Sequence, residues 1–112
     1  MYTLAREEFS GAGLGEQDKT IVMFTAHWCG FCKVFSPLFE KAEKENPNLK
    51  FSECFLDNPD DSLYNKLFID VLPTIIAFSE GKEISRANGI PGFGLTKHDL
   101  ERVLAELREN KP

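Results

Sequence analysis

Apolar residues along the chain follow two different spacings, and these spacings predict strands and helices. Residues 20–25, Thr-Ile-Val-Met-Phe-Thr, form an apolar and β-branched run that is typical of a strand buried on both faces. Residues 49–57 alternate between apolar and polar side chains and predict a second strand, and residues 73–79 predict a third. Gly81-Lys82 then supplies a hairpin turn into a fourth strand over residues 83–88.

A longer segment, from Cys29 to about Asn46, repeats its apolar residues at helical spacing. Pro37 lies inside this predicted helix, where its ring removes a backbone donor, so we expect a kink rather than an end. The apolar positions of the helix are Val34, Phe35, Leu38, Phe39 and Ala42.

Three shorter helices complete the prediction. The first covers residues 5–9, and the second runs from Asp60 or Asp61, either of which can cap it, to about Leu67. The last helix begins at residues 96–99, Thr-Lys-His-Asp, which resemble a capping box. Its apolar stripe consists of Leu100, Val103, Leu104 and Leu107.

These elements follow the order α, β, α, β, α, β, β, α. The β-α-β start makes a parallel strand pair and the late hairpin adds antiparallel strands. We therefore predict an α/β fold with a mixed central β-sheet flanked by helices on both faces. The 112 residues form one domain, residues 1–112, because two domains of this total length would each bury too little core.

Composition and charge narrow the range of partners. Apolar residues make up 42% of the chain, which is too many for a disordered protein. Eighteen Asp and Glu against 13 Lys and Arg give a net charge of −5 without any basic run, so we expect neither nucleic acid nor membrane as a partner. The first eight residues lack the pattern of an export signal, and we expect a cytoplasmic protein.

The candidate chemistry lies in residues 28–33, Trp-Cys-Gly-Phe-Cys-Lys. Cys29 and Cys32 are one helical turn apart at the start of the predicted helix, directly after a buried strand. The N-terminus of a helix stabilises a thiolate on the first cysteine, and only a thiolate attacks disulfides. The second cysteine lies deeper and can attack the resulting mixed disulfide. This arrangement predicts a redox-active dithiol.

A zinc site is the main alternative for these cysteines. Zinc usually takes four ligands in two closely spaced pairs, whereas this chain has one pair, a lone Cys54 and two distant histidines. We therefore expect no metal. We interpret Cys54 as a small buried residue on the strand face opposite Glu53, with an intermolecular disulfide as the less favoured alternative. We expect His27, at the mouth of the site, to face solvent.

Several motifs recur in the order and spacing of one known family, and the chain resembles a thioredoxin over nearly its whole length. The family-like features, besides the cysteine motif, are the strand over residues 22–26, the kinking Pro37, Leu-Pro-Thr at residues 72–74, Phe-Ser-Glu-Gly-Lys at residues 78–82, and Gly89 before the last helix.

The resemblance implies a thioredoxin fold, no bound cofactor, and a role for each matching residue. Cys29 is expected to be the nucleophile, Cys32 the resolving thiol, and Pro73 a cis proline beside the disulfide that the two cysteines form. A cis bond before Pro73 would let Leu72 pair with an extended substrate. The expected docking groove consists of Trp28, Gly30, Phe31, Leu72, Pro73, Gly89 and Ile90.

Two segments near the cysteines depart from the usual thioredoxin pattern. Phe31 stands where proline is usual, at a position that tunes the stability of the dithiol against the disulfide. The connection over residues 89–95 is a few residues longer than usual and contains Phe93. We expect the Phe93 ring to fold back over the last helix, with contact to partners as the alternative.

The third departure lies under the active site. Met23 stands where thioredoxins usually bury an Asp, and Glu53 stands where a Lys is usual. Because Glu53 alternates onto the same strand face as Phe51, it would reach the region of the missing carboxylate. We hypothesise that Glu53, with a pKa raised by burial, takes the proton of Cys32. The alternative is a Glu53 that reaches solvent or pairs with a Lys.

We predict a thiol–disulfide oxidoreductase that reduces protein disulfides through Cys29 and Cys32. The resemblance implies a thioredoxin-reductase-type electron donor and a place in electron transport and cell redox homeostasis. We expect a monomer, because no apolar patch is predicted beyond the groove. Use of the same dithiol as an oxidase or isomerase stays open because of Phe31. A redox-inactive binding module on the same fold is a further alternative, and the presence of both cysteines counts against it.

Overall fold

The computed structural model describes residues 1–10, 13–15 and 18–110. Within them, one short 3-10 turn covers Arg6–Glu8. The strands and helices follow in the order β1 (Tyr2–Thr3), β2 (Phe9–Ser10), β3 (Gly13–Leu14), β4 (Thr20–Thr25), α1 (Gly30–Glu45), β5 (Lys50–Phe55), α2 (Leu63–Lys66), β6 (Thr74–Ser79), β7 (Lys82–Ala87) and α3 (Lys97–Glu109).

A mixed five-stranded sheet forms the centre of the fold. Its strand order is β1-β5-β4-β6-β7, in which β5 runs parallel to both β1 and β4, whereas β6 and β7 are antiparallel additions. Every residue of β4 is buried, as its unbroken apolar run predicts. The predicted mixed sheet is confirmed.

The two faces of the sheet are covered by different elements. Helices α1 and α3 pack on one face, around Met23, Phe35, Phe51, Ile75 and Val103. The other face carries α2 and the small β2–β3 pair, around Phe9, Phe24, Leu63, Ile76 and Phe78. Alternate strand residues therefore point to opposite layers, and helices lie on both faces as predicted.

The longer predicted helices are confirmed, with their caps. Helix α1 continues through Pro37 to Glu45. The Thr96 side chain accepts a hydrogen bond from the Asp99 N–H (3.2 Å) and the Asp99 carboxylate accepts one from the Thr96 N–H (2.9 Å), so the capping box of α3 is formed. The short helix α2 begins later than predicted, at Leu63, with Ser62 rather than Asp60 or Asp61 at its N-cap, although the Asp61 carboxylate accepts the N–H of Leu63.

The N-terminal helix prediction is wrong. Residues 5–9 form only the 3-10 turn, after which Phe9 enters β2 and pairs with Leu14 of β3. The Phe9 ring is buried, with its centroid 5.7 Å from that of Phe24. Five residues are too few to sustain a helix without packing, and burial of Phe9 favours the extended form. Residues 11–15 of the sequence, Gly-Ala-Gly-Leu-Gly, follow this turn, and the first two of them, Gly11 and Ala12, lie outside the described residues.

The hairpin between β6 and β7 turns one residue earlier than predicted. Glu80 and Gly81 have φ values of +53° and +82°, so they are the two central residues of the turn, and Lys82 already belongs to β7. Two consecutive left-handed residues match the twist of the flanking strands.

Candidate active site

Cys29 and Cys32 form a disulfide at the start of α1, with their Cα atoms 5.3 Å apart. Cys29 is the N-cap residue of the helix, and its Sγ accepts the backbone N–H of Cys32 at 3.2 Å. A sulfur in this position lies at the positive end of the helix dipole, where a thiolate is stabilised. Both cysteine residues are buried, with Cys29 6% exposed and Cys32 2%.

The segment before β6 lies against this disulfide. The Leu72–Pro73 peptide bond is cis, as the resemblance implies. The Leu72 carbonyl oxygen lies 3.7 Å from the Cys29 Sγ. Gly89 borders the same segment so closely that a Cβ on Gly89 would overlap the Pro73 carbonyl oxygen. Leu72 and Gly89 are buried, whereas Ile90 is exposed.

Trp28 and His27, which precede the cysteines, are held by Asp57. The Trp28 indole Nε1–H donates to the Asp57 carbonyl oxygen at 2.9 Å. The His27 backbone N–H donates to Asp57 Oδ1, and the His27 Nδ1 lies 2.7 Å from Asp57 Oδ2. The imidazole also stacks on the Phe55 ring, with the centroids 4.1 Å apart. The expected exposure of His27 is confirmed, but the side chain is anchored.

Asp57 is a site residue that the sequence did not indicate. The hydrogen bond from the His27 backbone N–H is the main cause that holds the Asp57 pKa below its ordinary value. The two residues are 30 positions apart, at the ends of the neighbouring parallel strands β4 and β5. The β-α-β order, which places the ends of two parallel strands side by side, is the one feature of the sequence that could have indicated this contact.

Glu53 and Cys32 line the same small cavity, of about 140 Å³. The cavity is further bordered by the side chains of Met23, Lys33 and Ser36, among others. Glu53 is half-buried, and this burial raises its pKa, with the nearby Glu40 carboxylate as the second cause. A carboxylate and a thiol at one cavity can exchange a proton directly or through a water molecule.

Cys54 is separated from this cavity by the sheet. Its side chain is buried in the cluster that holds Phe24 and Leu56, on the face opposite Glu53. Burial raises the pKa of the Cys54 thiol to about 12. Such a thiol is inert, which supports the interpretation of Cys54 as a buried core residue. Among the described residues, no three His, Cys, Asp or Glu side chains come together to hold a metal ion.

The connection after β7 lies beside Phe31. A Cβ on Gly94 would lie 3.1 Å from the Cβ of Phe31, so the Phe31 ring packs against the backbone of this connection. Phe93 does not fold back over α3, which corrects our expectation: its side chain is 78% exposed. The tight turn from Ile90 to Gly94 holds Phe93 at its tip, away from the helix.

Comparison with known proteins decides the family. The sequence model of the family described as Thioredoxin matches residues 1–106. The chain is a member of the thioredoxin family. Thioredoxin-1 of Saccharomyces cerevisiae is 35% identical over 74 residues, which cover 65% of this chain and 71% of the yeast protein. Thioredoxin of Mycoplasma genitalium is 44% identical over 71 residues, 62% of this chain and 67% of its own.

Solved structures agree with this assignment at the level of the fold. The crystal structure of Chlamydomonas reinhardtii thioredoxin f2 superposes with a TM-score of 0.80 at 21% identity and covers 99% of both chains. Spinach chloroplast thioredoxin f, in its long form, gives a TM-score of 0.78 at 19% identity, with 96% of this chain and 86% of the spinach chain covered. The predicted thioredoxin fold is confirmed.

Family membership and the cysteine pair together establish the class of reaction. This thioredoxin is a thiol–disulfide oxidoreductase that acts on protein disulfides. The alternative of a redox-inactive binding module is not supported, because both cysteines are present and close enough to form a disulfide. In the described part of the chain, no helix has the length and apolar character to cross a membrane.

Proposed function

We propose that Cys29 is the nucleophile of this thioredoxin and Cys32 its resolving thiol, working in the direction of disulfide reduction. The observation that carries the assignment is the position of the Cys29 sulfur. It caps the N-terminus of α1, it belongs to the less buried of the two cysteine residues, and it lies beside the Leu72 carbonyl that an extended substrate would flank.

The reaction proceeds in two exchanges. The Cys29 thiolate attacks one sulfur of the substrate cystine, so that a Cys29–substrate disulfide forms, the substrate S–S bond breaks, and the leaving sulfur departs as a thiolate that takes up a proton. The Cys32 thiolate then attacks the Cys29 sulfur, which forms the Cys29–Cys32 disulfide and releases the second substrate thiolate. The substrate gains two electrons and the dithiol loses them.

Glu53 is the proposed proton acceptor for Cys32. Both side chains border the same cavity, and the raised pKa of Glu53 brings the carboxyl closer to the pH at which it can accept and later release a proton. The neighbouring charged groups are Glu40 and Glu43 of α1, the chain N-terminus, His27 and Lys33. Met23 holds the position next to Glu53 on β4 and has no proton to exchange.

The docking groove is proposed to surround Cys29. Trp28, held at Asp57, forms one side and the cis-proline segment the other, and the Leu72 backbone offers strand-like hydrogen bonds to an extended chain. The proposed groove residues are Trp28, Gly30, Phe31, Leu72, Pro73, Gly89 and Ile90.

A reducing compartment and an external donor complete the proposal. We place the protein in the cytoplasm as a monomer, where a thioredoxin-reductase-type donor returns the disulfide to the dithiol. Three cysteines, one of them a buried free thiol, are typical of such a compartment. Relatives with known compartments differ, since one is named a mitochondrial thioredoxin and one a chloroplast thioredoxin.

Reduction of insulin by dithiothreitol, followed as turbidity, tests the residue roles. Cys29→Ser should be inactive and should not trap substrate. Cys32→Ser should accumulate a covalent complex with the insulin chain, because the mixed disulfide forms but is not resolved. A complex trapped by Cys29→Ser instead would reverse the two roles, and turnover in both variants would exclude this dithiol from the reaction.

Equilibration of the protein in glutathione buffers tests whether the dithiol works in disulfide reduction. The observation that favours the alternative of an oxidase or isomerase is Phe31, which stands where proline is usual. A midpoint potential near about −270 mV supports the reductase, whereas a midpoint between about −180 and −120 mV would assign the dithiol to isomerisation or oxidation.

A further inference from the structure

A tight turn over residues 90–94 lies next to the active site. Ile90 and Gly94 pair as an antiparallel bridge, and the N–H groups of Phe93 and Gly94 both donate to the Ile90 carbonyl oxygen, at 2.9 and 2.8 Å. Gly92 and Gly94 have φ values of +82° and +74°, which glycine adopts at little cost. The turn is therefore fixed by its own backbone.

The two ends of the turn contact opposite sides of the active site. The residue before it, Gly89, borders the Pro73 carbonyl oxygen. At the other end, a Cβ on Gly94 would lie 3.1 Å from the Cβ and 3.4 Å from the Cδ1 of Phe31. The turn thus joins the cis-proline segment to the first turn of α1, which carries Cys32.

Three large apolar side chains are exposed on this connection and beside it, at Phe31 of α1. Phe31 is 45% exposed, Ile90 56% and Phe93 78%, and we refer to these three residues as the apolar rim. Residues 90–94, Ile-Pro-Gly-Phe-Gly, contain no charged side chain. Exposed apolar groups that adjoin a reacting atom are typical of contact surfaces, because they gain most from losing water.

We propose that the apolar rim is a specificity site that accepts a large apolar side chain of an extended protein substrate, a few residues from the attacked cystine. The proposal rests on the proposed function, since the substrate sulfur must reach the Cys29 sulfur. The apolar rim is continuous with the active site, which supports the proposal. Phe31 follows Cys29 by two residues, and Ile90 follows Gly89, which touches Pro73. Phe93 extends this surface beyond the proposed groove residues.

Gly94 has a separate role in the proposal, as a positioning residue. Its backbone lies against Phe31, and any side chain at this position would press on the Phe31 Cβ and so displace the ring. The large side chain of Phe31 therefore requires a residue without a side chain at position 94.

Reduction of two matched peptides tests the specificity site. Each probe is the symmetric disulfide of a nine-residue peptide with a central Cys, carrying either Leu or Ser at the positions two residues from the Cys. The reduced protein should cleave the Leu peptide with a kcat/KM about tenfold higher than the Ser peptide. Phe93→Ser should lower this ratio to about two, and Phe93→Leu should restore most of it.

The matched control is Phe68→Ser. Phe68 is 76% exposed, nearly as much as Phe93, but lies in the connection after α2, where its carbonyl oxygen accepts a hydrogen bond from Arg86 of β7. This variant should keep the tenfold ratio. Equal losses in Phe68→Ser and Phe93→Ser, or a wild-type ratio near one, would overturn the specificity site.

Cleavage of dithionitrobenzoate, a small disulfide without a peptide chain, separates the two proposals. All Phe93 and Phe68 variants should cleave it at the wild-type rate, because it has no peptide chain that could carry a side chain to Phe93. If the wild-type dithiol cleaves it and a Cys29→Ser variant does not, the proposed nucleophile holds even when the peptide ratio fails. Loss of this reaction in Phe93→Ser would show a general defect and overturn the specificity site.

A pair of glycine variants tests the positioning role of Gly94. Gly92→Ala and Gly94→Ala carry the same left-handed backbone strain, but only at Gly94 would the added methyl meet Phe31, since nothing lies within 4 Å of a Cβ at Gly92. Gly94→Ala should reduce the peptide ratio at least threefold more than Gly92→Ala does. Equal ratios in the two variants would exclude a positioning role.

Discussion

Glu53 lies directly beside Met23 in the parallel register of β4 and β5. The two side chains border the cavity that also contains Cys32. A carboxylate thus borders this cavity from β5, whereas the resemblance to thioredoxins places the usual Asp on β4, at the position of Met23.

Replacement of Glu53 tests whether this carboxylate takes the proton of Cys32. Glu53→Gln keeps the shape of the side chain but cannot accept a proton, so resolution of the mixed disulfide near neutral pH should slow about tenfold or more. Rapid-mixing kinetics of a Cys29 mixed disulfide measures this step. Glu40→Gln is the control, because it removes a neighbouring charge and leaves Glu53 in place. Unchanged resolution in Glu53→Gln would end the hypothesis.

The same variant should change how stability depends on pH. Burial raises the Glu53 pKa above its ordinary value of 4.5, so the folded state binds this proton more tightly than the unfolded state. The folded protein is favoured while Glu53 is protonated and loses that stability as pH rises from about 4.5 through the raised pKa. The free energy of unfolding of Glu53→Gln, measured with urea, should therefore exceed that of wild type by more at pH 7 than at pH 4. A difference between the two proteins that does not vary with pH would contradict this.

Cys54 should resist alkylation in the folded protein. With a pKa of about 12, only about one ten-thousandth of the thiol is ionised at pH 8, and the sheet shields it from reagents. In the reduced protein, iodoacetamide should modify Cys29 quickly and leave Cys54 unmodified until denaturant is added. Peptide mass spectrometry distinguishes the sites, and rapid labelling of Cys54 without denaturant would show that its face of the sheet opens.

Gly89 should not tolerate a side chain. A methyl group there would overlap the Pro73 carbonyl oxygen, so Gly89→Ala should lower the free energy of unfolding by about 1–3 kcal/mol and shift the segment that flanks Cys29. Insulin reduction should fall in parallel. Gly15→Ala is the matched control, since a Cβ there makes only an ordinary 3.5 Å contact with the Glu8 carbonyl oxygen. Similar unfolding free energies for both variants would refute the overlap.

Ser52 offers a stabilising substitution in the sheet. Its hydroxyl is buried in β5, and no hydrogen-bond partner for it lies among the described residues. Ser52→Ala removes that unpaired group and should raise the free energy of unfolding by about 1 kcal/mol. Thr20→Val is the opposite case, because the Thr20 hydroxyl donates to the Lys50 carbonyl oxygen, and it should be destabilising by a similar amount. Chemical denaturation of wild type and both variants measures these opposite changes in the free energy of unfolding.

The residues that carry the chemistry were predictable because their signals are local. The cysteines, Trp28 and Phe31 lie within six consecutive residues, between a strand and a helix that periodicity identifies. The position of Glu53 followed from strand alternation alone, because the side-chain period of two fixes which face it shares with Phe51. Long elements with one strong period are the easiest to predict from a single sequence.

The features that the sequence missed depend on distant contacts or on very short elements. The hydrogen bonds from His27 and Trp28 to Asp57 depend on how close the ends of β4 and β5 lie. No residue pattern within either segment contains this distance. Strands β1, β2 and β3 have two residues each, too few to show any period. Phe93 points to solvent because backbone hydrogen bonds shape its turn, and hydrophobicity alone favoured burial.

The indole of Trp28 is an intrinsic fluorescent probe of the active site. It is the one tryptophan in the sequence, it is largely exposed, and its Nε1–H is fixed to the Asp57 carbonyl next to Cys29. All indole emission therefore originates from the residue that directly precedes Cys29. Docking of a substrate, or exchange of the dithiol for the disulfide, should be visible as a change in intrinsic fluorescence, without any label added to the protein.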